Sequence, residues 1–255
     1  MSAAVGKVNS LLQNTRKSVR QFSKHLLTWK PHSQIHFSQE GEDILLQRIF
    51  LGQRHGFYVD IGAHHPFRFS NTYWAYRQGW NGINVDPSPD FTRSFNRFRT
   101  RDINLNVCVS ETNGPIPLYV FPEQALNTTL AYRKRNIESV TRNDARVIEV
   151  QSQTLEHILN EHLPRNIQQI DLMSIDVEGA EMAVLKSNDW ARYKPRVLVM
   201  EMLGSSLSDL KRSIEFSFVQ ELGYTPVAML YHSVFFVSDP TLKSVHWPDS
   251  SAIDS

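Results

Sequence analysis

Cysteine is almost absent from these 255 residues. Cys108 stands alone, which excludes an internal disulfide framework and a cysteine-built zinc cluster. Excess charge is missing as well: 27 Lys and Arg against 26 Asp and Glu leave a net charge of +1, so the surface as a whole carries no electrostatic footprint for nucleic acid. The longest apolar runs are short stretches such as Val197–Met200. No membrane span is expected, nor the apolar core of a secretory signal. What is present, 41% hydrophobic and 21% charged residues, suffices to bury a core. The expectation is a globular, cytoplasmic protein.

Acidic residues are missing until Glu40. Before it lie Lys7, Arg16, Lys17, Arg20, Lys24 and Lys30, while Val8, Leu12, Thr15, Val19, Phe22, Leu26 and Trp29 recur at alternating spacings that share one helix face. Pro31 ends the pattern. Residues 1–35 therefore read as a basic amphipathic extension. Through residues 1–30 it meets either an anionic membrane surface or, as a plain packing helix, the main domain or a second subunit of an oligomer. The main domain spans 36–239, and a polar tail follows over 240–255.

From residue 43 onward, short apolar runs alternate with helical stretches. Strands are expected at Phe57–Ile61, Gly82–Val85, Ile103–Val109, Ile170–Ile175, Arg196–Met202, Thr225–Leu230 and Ser233–Val237. Helices are expected at Asp43–Phe50, Trp74–Gln78, Phe91–Phe98, Thr154–Glu161, Ala180–Trp190 and Leu207–Leu222. Gly114–Phe121, with Pro115 and Pro117, suits an edge. The polar stretch Asn127–Asp144 shows no strand and reads as a loop or lid, with Arg133, Lys134, Arg135 and Arg142 available to an anionic acceptor. Strands apolar on both faces and separated by helices predict an α/β doubly wound, mostly parallel sheet. The last two strands are joined only by Tyr231 and His232, too short for a crossover helix, so they must pair antiparallel.

In such a sheet ligands bind beyond the carboxyl ends of the strands. All but the third of the first five main strands deliver an acid there: Asp60, Asp86, Asp176 and Glu201. A carboxylate in that position is costly unless paired, hydrogen-bonded or bound to a cation. Asp86 follows Gly62 by 24 residues, about where an acid takes ribose hydroxyls in nucleotide-binding units. The three-glycine fingerprint is missing, however, and His64 and His65 fill the turn. A pyrophosphate is disfavoured, and with it a nicotinamide-dependent oxidoreductase. A nucleoside carrying a positive group fits the acid-lined turn better.

Five runs carry a family resemblance. Phe37-Ser38-Gln39-Glu40-Gly41-Glu42-Asp43, Val59-Asp60-Ile61-Gly62-Ala63-His64-His65-Pro66, Ser70-Asn71-Thr72-Tyr73, Gly79-Trp80-Asn81-Gly82-Ile83-Asn84-Val85-Asp86 and Ile175-Asp176-Val177-Glu178-Gly179-Ala180-Glu181 resemble the FkbM-type methyltransferases, in order, over residues 36 to 238. The resemblance implies the class I methyltransferase (Rossmann-like) fold, a seven-stranded sheet whose last strand is antiparallel, with S-adenosylmethionine as methyl donor. It would place Asp60, Gly62 and Ala63 at the methionine part, Asn71 and Thr72 at its carboxylate, Asp86 at the ribose, and Asn106 to Val109, Cys108 included, along the adenine. Asp102 is a weaker adenine candidate. Gln39 joins the site from the first motif, without a specified role.

Methyl transfer needs alignment above all. A hydroxyl acceptor, in a sugar, glycan or secondary metabolite, also needs a base or a metal to take up its proton or its charge. Asp176 and Glu201, with Glu178 nearby, are candidates for catalysis or for holding Mg²⁺ or a similar divalent cation. Without a metal, Asp176 is a cofactor or substrate contact and Glu178 caps the helix beginning at Gly179. Among the loop histidines, His65 is the first choice for base or substrate contact and His232 the second, with a structural role as the alternative for each. A catalytically inactive binding or scaffold protein is the alternative outside the enzyme class.

Overall fold

The computed structural model describes residues 35–202, 204, 206–239 and 242. The basic segment 1–30 lies outside these residues, as do His32 and all of the tail over 240–255 except Leu242.

Strand β1 (Phe57–Ile61) is buried along its whole length, as its aromatic and β-branched residues favour. It pairs in parallel with β2 (Asn81–Val85) on one side and β7 (Leu172–Ile175) on the other. The sheet is completed by β3 (Ile103–Leu105), β8 (Val197–Glu201), β9 (Thr225–Met229) and β10 (Ser233–Val237) in the order β3-β2-β1-β7-β8-β10-β9. β10 runs antiparallel to both its neighbours. This is the expected doubly wound sheet of a class I methyltransferase, with its order reversing between β1 and β7.

Both sheet faces are covered, which is why these strands are apolar throughout. Val59, Ile83, Met173, Leu198 and Phe236 point to one layer, packed by α5 (Leu155–His162), α6 (Glu181–Lys186) and α8 (Ile214–Glu221). Tyr58, Leu172, Val199 and Phe235 point to the other, with Leu46, Trp74 and Trp80, under α1 (Glu42–Ile49) and α2 (Tyr73–Arg77). Helix α3 (Phe91–Phe98) follows β2. No helix among the described residues is long and apolar enough to cross a membrane.

Four expectations are corrected. The single strand Ile103–Val109 is divided: after β3 the chain leaves the large sheet at Asn106, and β4 (Cys108–Val109) enters a second sheet of order β4-β6-β5. Asn106 fixes the departure by donating to the backbone oxygens of Asp86 at 2.8 Å and Ser88 at 2.9 Å. Its edge is β5 (Gly114–Val120), where Pro115 and Pro117 interrupt no interior ladder. The supposed loop 127–144 contains helix α4 (Ala131–Thr141), whose one buried residue is Ile137, so no apolar stripe announces it. The unexpected β6 (Arg146–Gln153) is mostly exposed or half-buried. Finally, Leu207–Leu222 is two helices, α7 (Leu207–Leu210) and α8, because the Ser213 hydroxyl accepts the Phe216 N–H and starts a new helix.

Candidate functional site

The carboxyl ends of β1, β2 and β7 converge on a partly open cleft. Its floor is the turn after β1. Gly62 has φ +79°, and a Cβ there would stand 1.7 Å from the Asp176 carbonyl oxygen. Only glycine lets the β1 and β7 ends lie this close.

Asp86 ends β2 with its carboxylate fixed by two backbone donors, the His64 N–H at 2.9 Å and the Ser88 N–H at 2.7 Å. It faces the cleft beside His64, whose two ring nitrogens are buried without a hydrogen-bond partner. Burial depresses the His64 pKa, with Asp86 opposing. Val107, Cys108, Val109 and Leu118 form an apolar wall, and burial pushes the Cys108 thiol up to about 12. Ser88, Asn127 and Thr128 add polar edges. The Asn127 amide donates to the Ser88 hydroxyl at 3.0 Å.

Of the cofactor residues expected from the sequence, Gln39, Gly62, Asp86, Cys108 and Asp176 line this cleft. Asp60, Ala63, Asn71, Thr72 and Asn106 are not among its lining residues. The Thr72 hydroxyl donates to Asp60 at 2.6 Å, and burial raises the Asp60 pKa to about 6 despite that bond. The Asn71 amide donates to Ser174 on β7. Ala63 packs with Phe91 and Phe95. Arg99, fully buried, ties this layer together: it donates to the Pro66 carbonyl at 2.9 Å, Ser70 at 3.0 Å and the Thr72 hydroxyl at 2.9 Å. Asp102 sits in the same buried network, accepting from Gly82 and Asn84, and does not reach the cleft.

The acids of β7 and β8 form the second half of the site. One carboxylate oxygen each from Asp176, Glu178 and Glu201 lies within 4.8 Å of the others. Burial, then Glu178, drives the Asp176 pKa well above the carboxylate range. Burial, then Asp176, pushes Glu201 up to about 10, and its Oε2 is buried without a hydrogen bond. Burial also raises Glu178, opposed by the Arg133 guanidinium of α4 that pairs with it. Glu178 is therefore not the helix cap. Glu181 takes that part, accepting the Val177 N–H at 3.2 Å and the Gly179 N–H at 3.1 Å.

His65 stands apart from the cleft lining. Its Nδ1 accepts from the Arg68 N–H at 3.1 Å and closes an outer turn, with its ring against Phe67. Sequence reasoning passed over His64, Ser88 and Asn127 as cleft residues. The first is signalled only by its place beside Gly62, the second by following Asp86, and the third by nothing local.

The family model for the methyltransferase FkbM domain matches residues 60–226. Methyltransferase sdnD of Sordaria araneosa is 33% identical over 103 residues, 33% of this chain and 40% of that protein; the chain thus spans less than half the length of this curated relative. Two solved structures are similar at low identity. A TehB-like SAM-dependent methyltransferase of Corynebacterium glutamicum has a TM-score of 0.39 at 10% identity, covering 88% of this chain and 96% of that one. A precorrin-6y C5,15-methyltransferase of Geobacter metallireducens has a TM-score of 0.37 at 12% identity, covering 77% and 86%. On the family match, which takes in more than half of its length, the chain belongs to the FkbM methyltransferase domain family.

Proposed function

We propose that this member of the FkbM family transfers a methyl group from S-adenosylmethionine to a hydroxyl of a sugar, glycan or secondary metabolite. The carrying observation is Asp86, clamped by two backbone N–H groups at the end of β2 with its carboxylate facing the cleft. A carboxylate has about four acceptor sites, so two remain for ribose hydroxyls. The rest of the cleft fits the same ligand. Val107 to Val109 offer an apolar wall for a purine, the unpartnered His64 ring offers polar atoms to it, and Asp176 offers a carboxyl group among the lining residues. When bound, the cofactor supplies an already activated methyl group. The protein's share is alignment and management of the acceptor's proton.

Asp176, Glu178 and Glu201 support the choice of oxygen as acceptor. With the Glu201 pKa at about 10, the cluster holds a proton at neutral pH, so it does not carry three full negative charges side by side. Such a group can orient a hydroxyl, or hold a hard divalent cation through three oxygens. A cation there would stabilise the ionised form of all three acids and of a nearby hydroxyl.

Calorimetric titration with S-adenosylmethionine and with its demethylated product, in Mg²⁺ and in chelator, tests the reading. Saturable binding is expected in the native protein, weakened at least tenfold in Asp86→Asn with the unfolding midpoint unchanged. No binding in either buffer sinks the enzyme reading in favour of a binding or scaffold protein. Titration with Mg²⁺ alone tests the cation, and the absence of saturable binding that Glu201→Gln abolishes removes the metal.

A further inference from the structure

We infer that His232 is the residue that takes the acceptor's proton and that Glu40 positions it; the inference rests on the methyl-transfer reading above. His232 is the last of the three residues, 230–232, that join β9 to β10, at the same end of the sheet as the cleft though not among its lining residues. Its backbone oxygen accepts the Met202 N–H at 2.7 Å, and the next residue, Ser233, stands opposite Glu201 in the β8–β10 register. Glu40 follows Gln39, a cleft residue, and reaches across with both oxygens. Oε1 lies 2.8 Å from His232 Nδ1, and Oε2 accepts the His232 N–H at 2.9 Å.

This double contact fixes the ring. A carboxylate on Nδ1 selects the neutral tautomer with its proton on Nδ1, leaving the Nε2 lone pair available. Nε2 makes no hydrogen bond among the described residues. The ring remains about one-third exposed, so an acceptor can reach it. The groups beside it are Glu40, the Tyr231 ring at 4.3 Å and Glu178, whose ionisation His232 favours; the neighbouring Ser233 stands opposite Glu201 and donates to Glu42 at 2.9 Å. Glu40 pairs with the imidazolium that proton uptake creates. His65, by contrast, has its Nδ1 committed to backbone donors of its own turn.

In the step so assigned, the acceptor oxygen uses a lone pair to bond the methyl carbon. The carbon–sulfur bond breaks with its electron pair remaining on sulfur, and the hydroxyl proton passes to Nε2. Glu40 holds the resulting imidazolium until water removes the proton.

Two measurements test this. Long-range ¹H–¹⁵N spectra of the cofactor-free protein, assigned with His232→Gln, should show neutral His232 as the Nδ1–H tautomer, and Glu40→Gln should mix the tautomers. Transfer of labelled methyl from S-adenosylmethionine to a panel of methyl glycosides should show an acid limb in kcat. His232→Gln should abolish that limb and lower kcat about 10²–10⁴-fold, and Glu40→Gln should lower kcat with KM unchanged. Calorimetry on the same variants should find native cofactor affinity. An Nε2–H tautomer in the native protein, or His232→Gln transfer at the native rate with the limb intact, overturns the inference and leaves methyl transfer standing. Loss of cofactor binding in the native protein instead overturns the reading on which it rests. If no glycoside is methylated, the tautomer decides.

Discussion

Asp60 shows how one buried acid can cost the fold stability. Its pKa rises from 3.8 to about 6 in the fold, chiefly through burial. An acid whose folded pKa exceeds its unfolded value binds more protons in the folded state between the two. Its stabilising effect is therefore complete below about pH 4 and is lost as pH rises through 6. The shift corresponds to about 3 kcal/mol lost at neutral pH. Asp60→Asn, which keeps an oxygen for the Thr72 hydroxyl, should therefore raise stability by about 1–3 kcal/mol at pH 8 and leave it almost unchanged at pH 4. Urea denaturation at the two pH values checks the sign. Asp60, Asp86, Asp176 and Glu201 were legible in the sequence because strand ends concentrate chemistry. That Asp86 lines the cleft while Asp60 stays out of its lining was not, since Thr72 and Arg99 reach Asp60's surroundings only through the fold. The Glu40–His232 contact joins the first family motif to the last hairpin, a distance no local pattern encodes.

At the scale of elements, the turn after β1 is the most constrained piece of backbone. Gly62→Ala must accommodate both φ +79° and the Asp176 carbonyl. The expected cost is about 2–4 kcal/mol, with cofactor binding lost. Gly79→Ala is the control, since Gly79 has φ +95° but open space around it, and strain alone should cost about 1 kcal/mol. Equal urea midpoints for the two variants would show that the β1–β7 approach is looser than described. Elements with strong periodicity were readable, β1, α3 and β10 to their end residues. Those that bury little were not. Helix α4 has one buried residue and β6 is largely polar, so neither carries the apolar pattern on which sequence reading depends. Helix α6 stops at Lys186, short of the expected Trp190, because the Trp190 indole folds back to donate to the Leu185 carbonyl.

For the molecule as a whole, the doubly wound topology followed from apolar strands separated by helices, and one short hairpin added its antiparallel member: Tyr231 and His232 leave no room for a crossover, so the last two strands pair antiparallel. The second sheet left no such trace. Its first strand reads as the continuation of β3, and its partner β6 is joined to it through β5 and α4.

The departure of the chain at Asn106 has a further consequence. Val107, Cys108 and Val109 are at once the wall of the cleft and the tether of the small sheet. A ligand seated on that wall, to which Leu118 of β5 also contributes, therefore damps the opening of the small sheet behind it. Amide deuteration should report this. On addition of S-adenosylmethionine, exchange should slow across β6 and β5 as well as at the cleft, whereas the far edge at β9 should keep its rate. Slowing confined to the cleft lining would mean that the two sheets breathe independently.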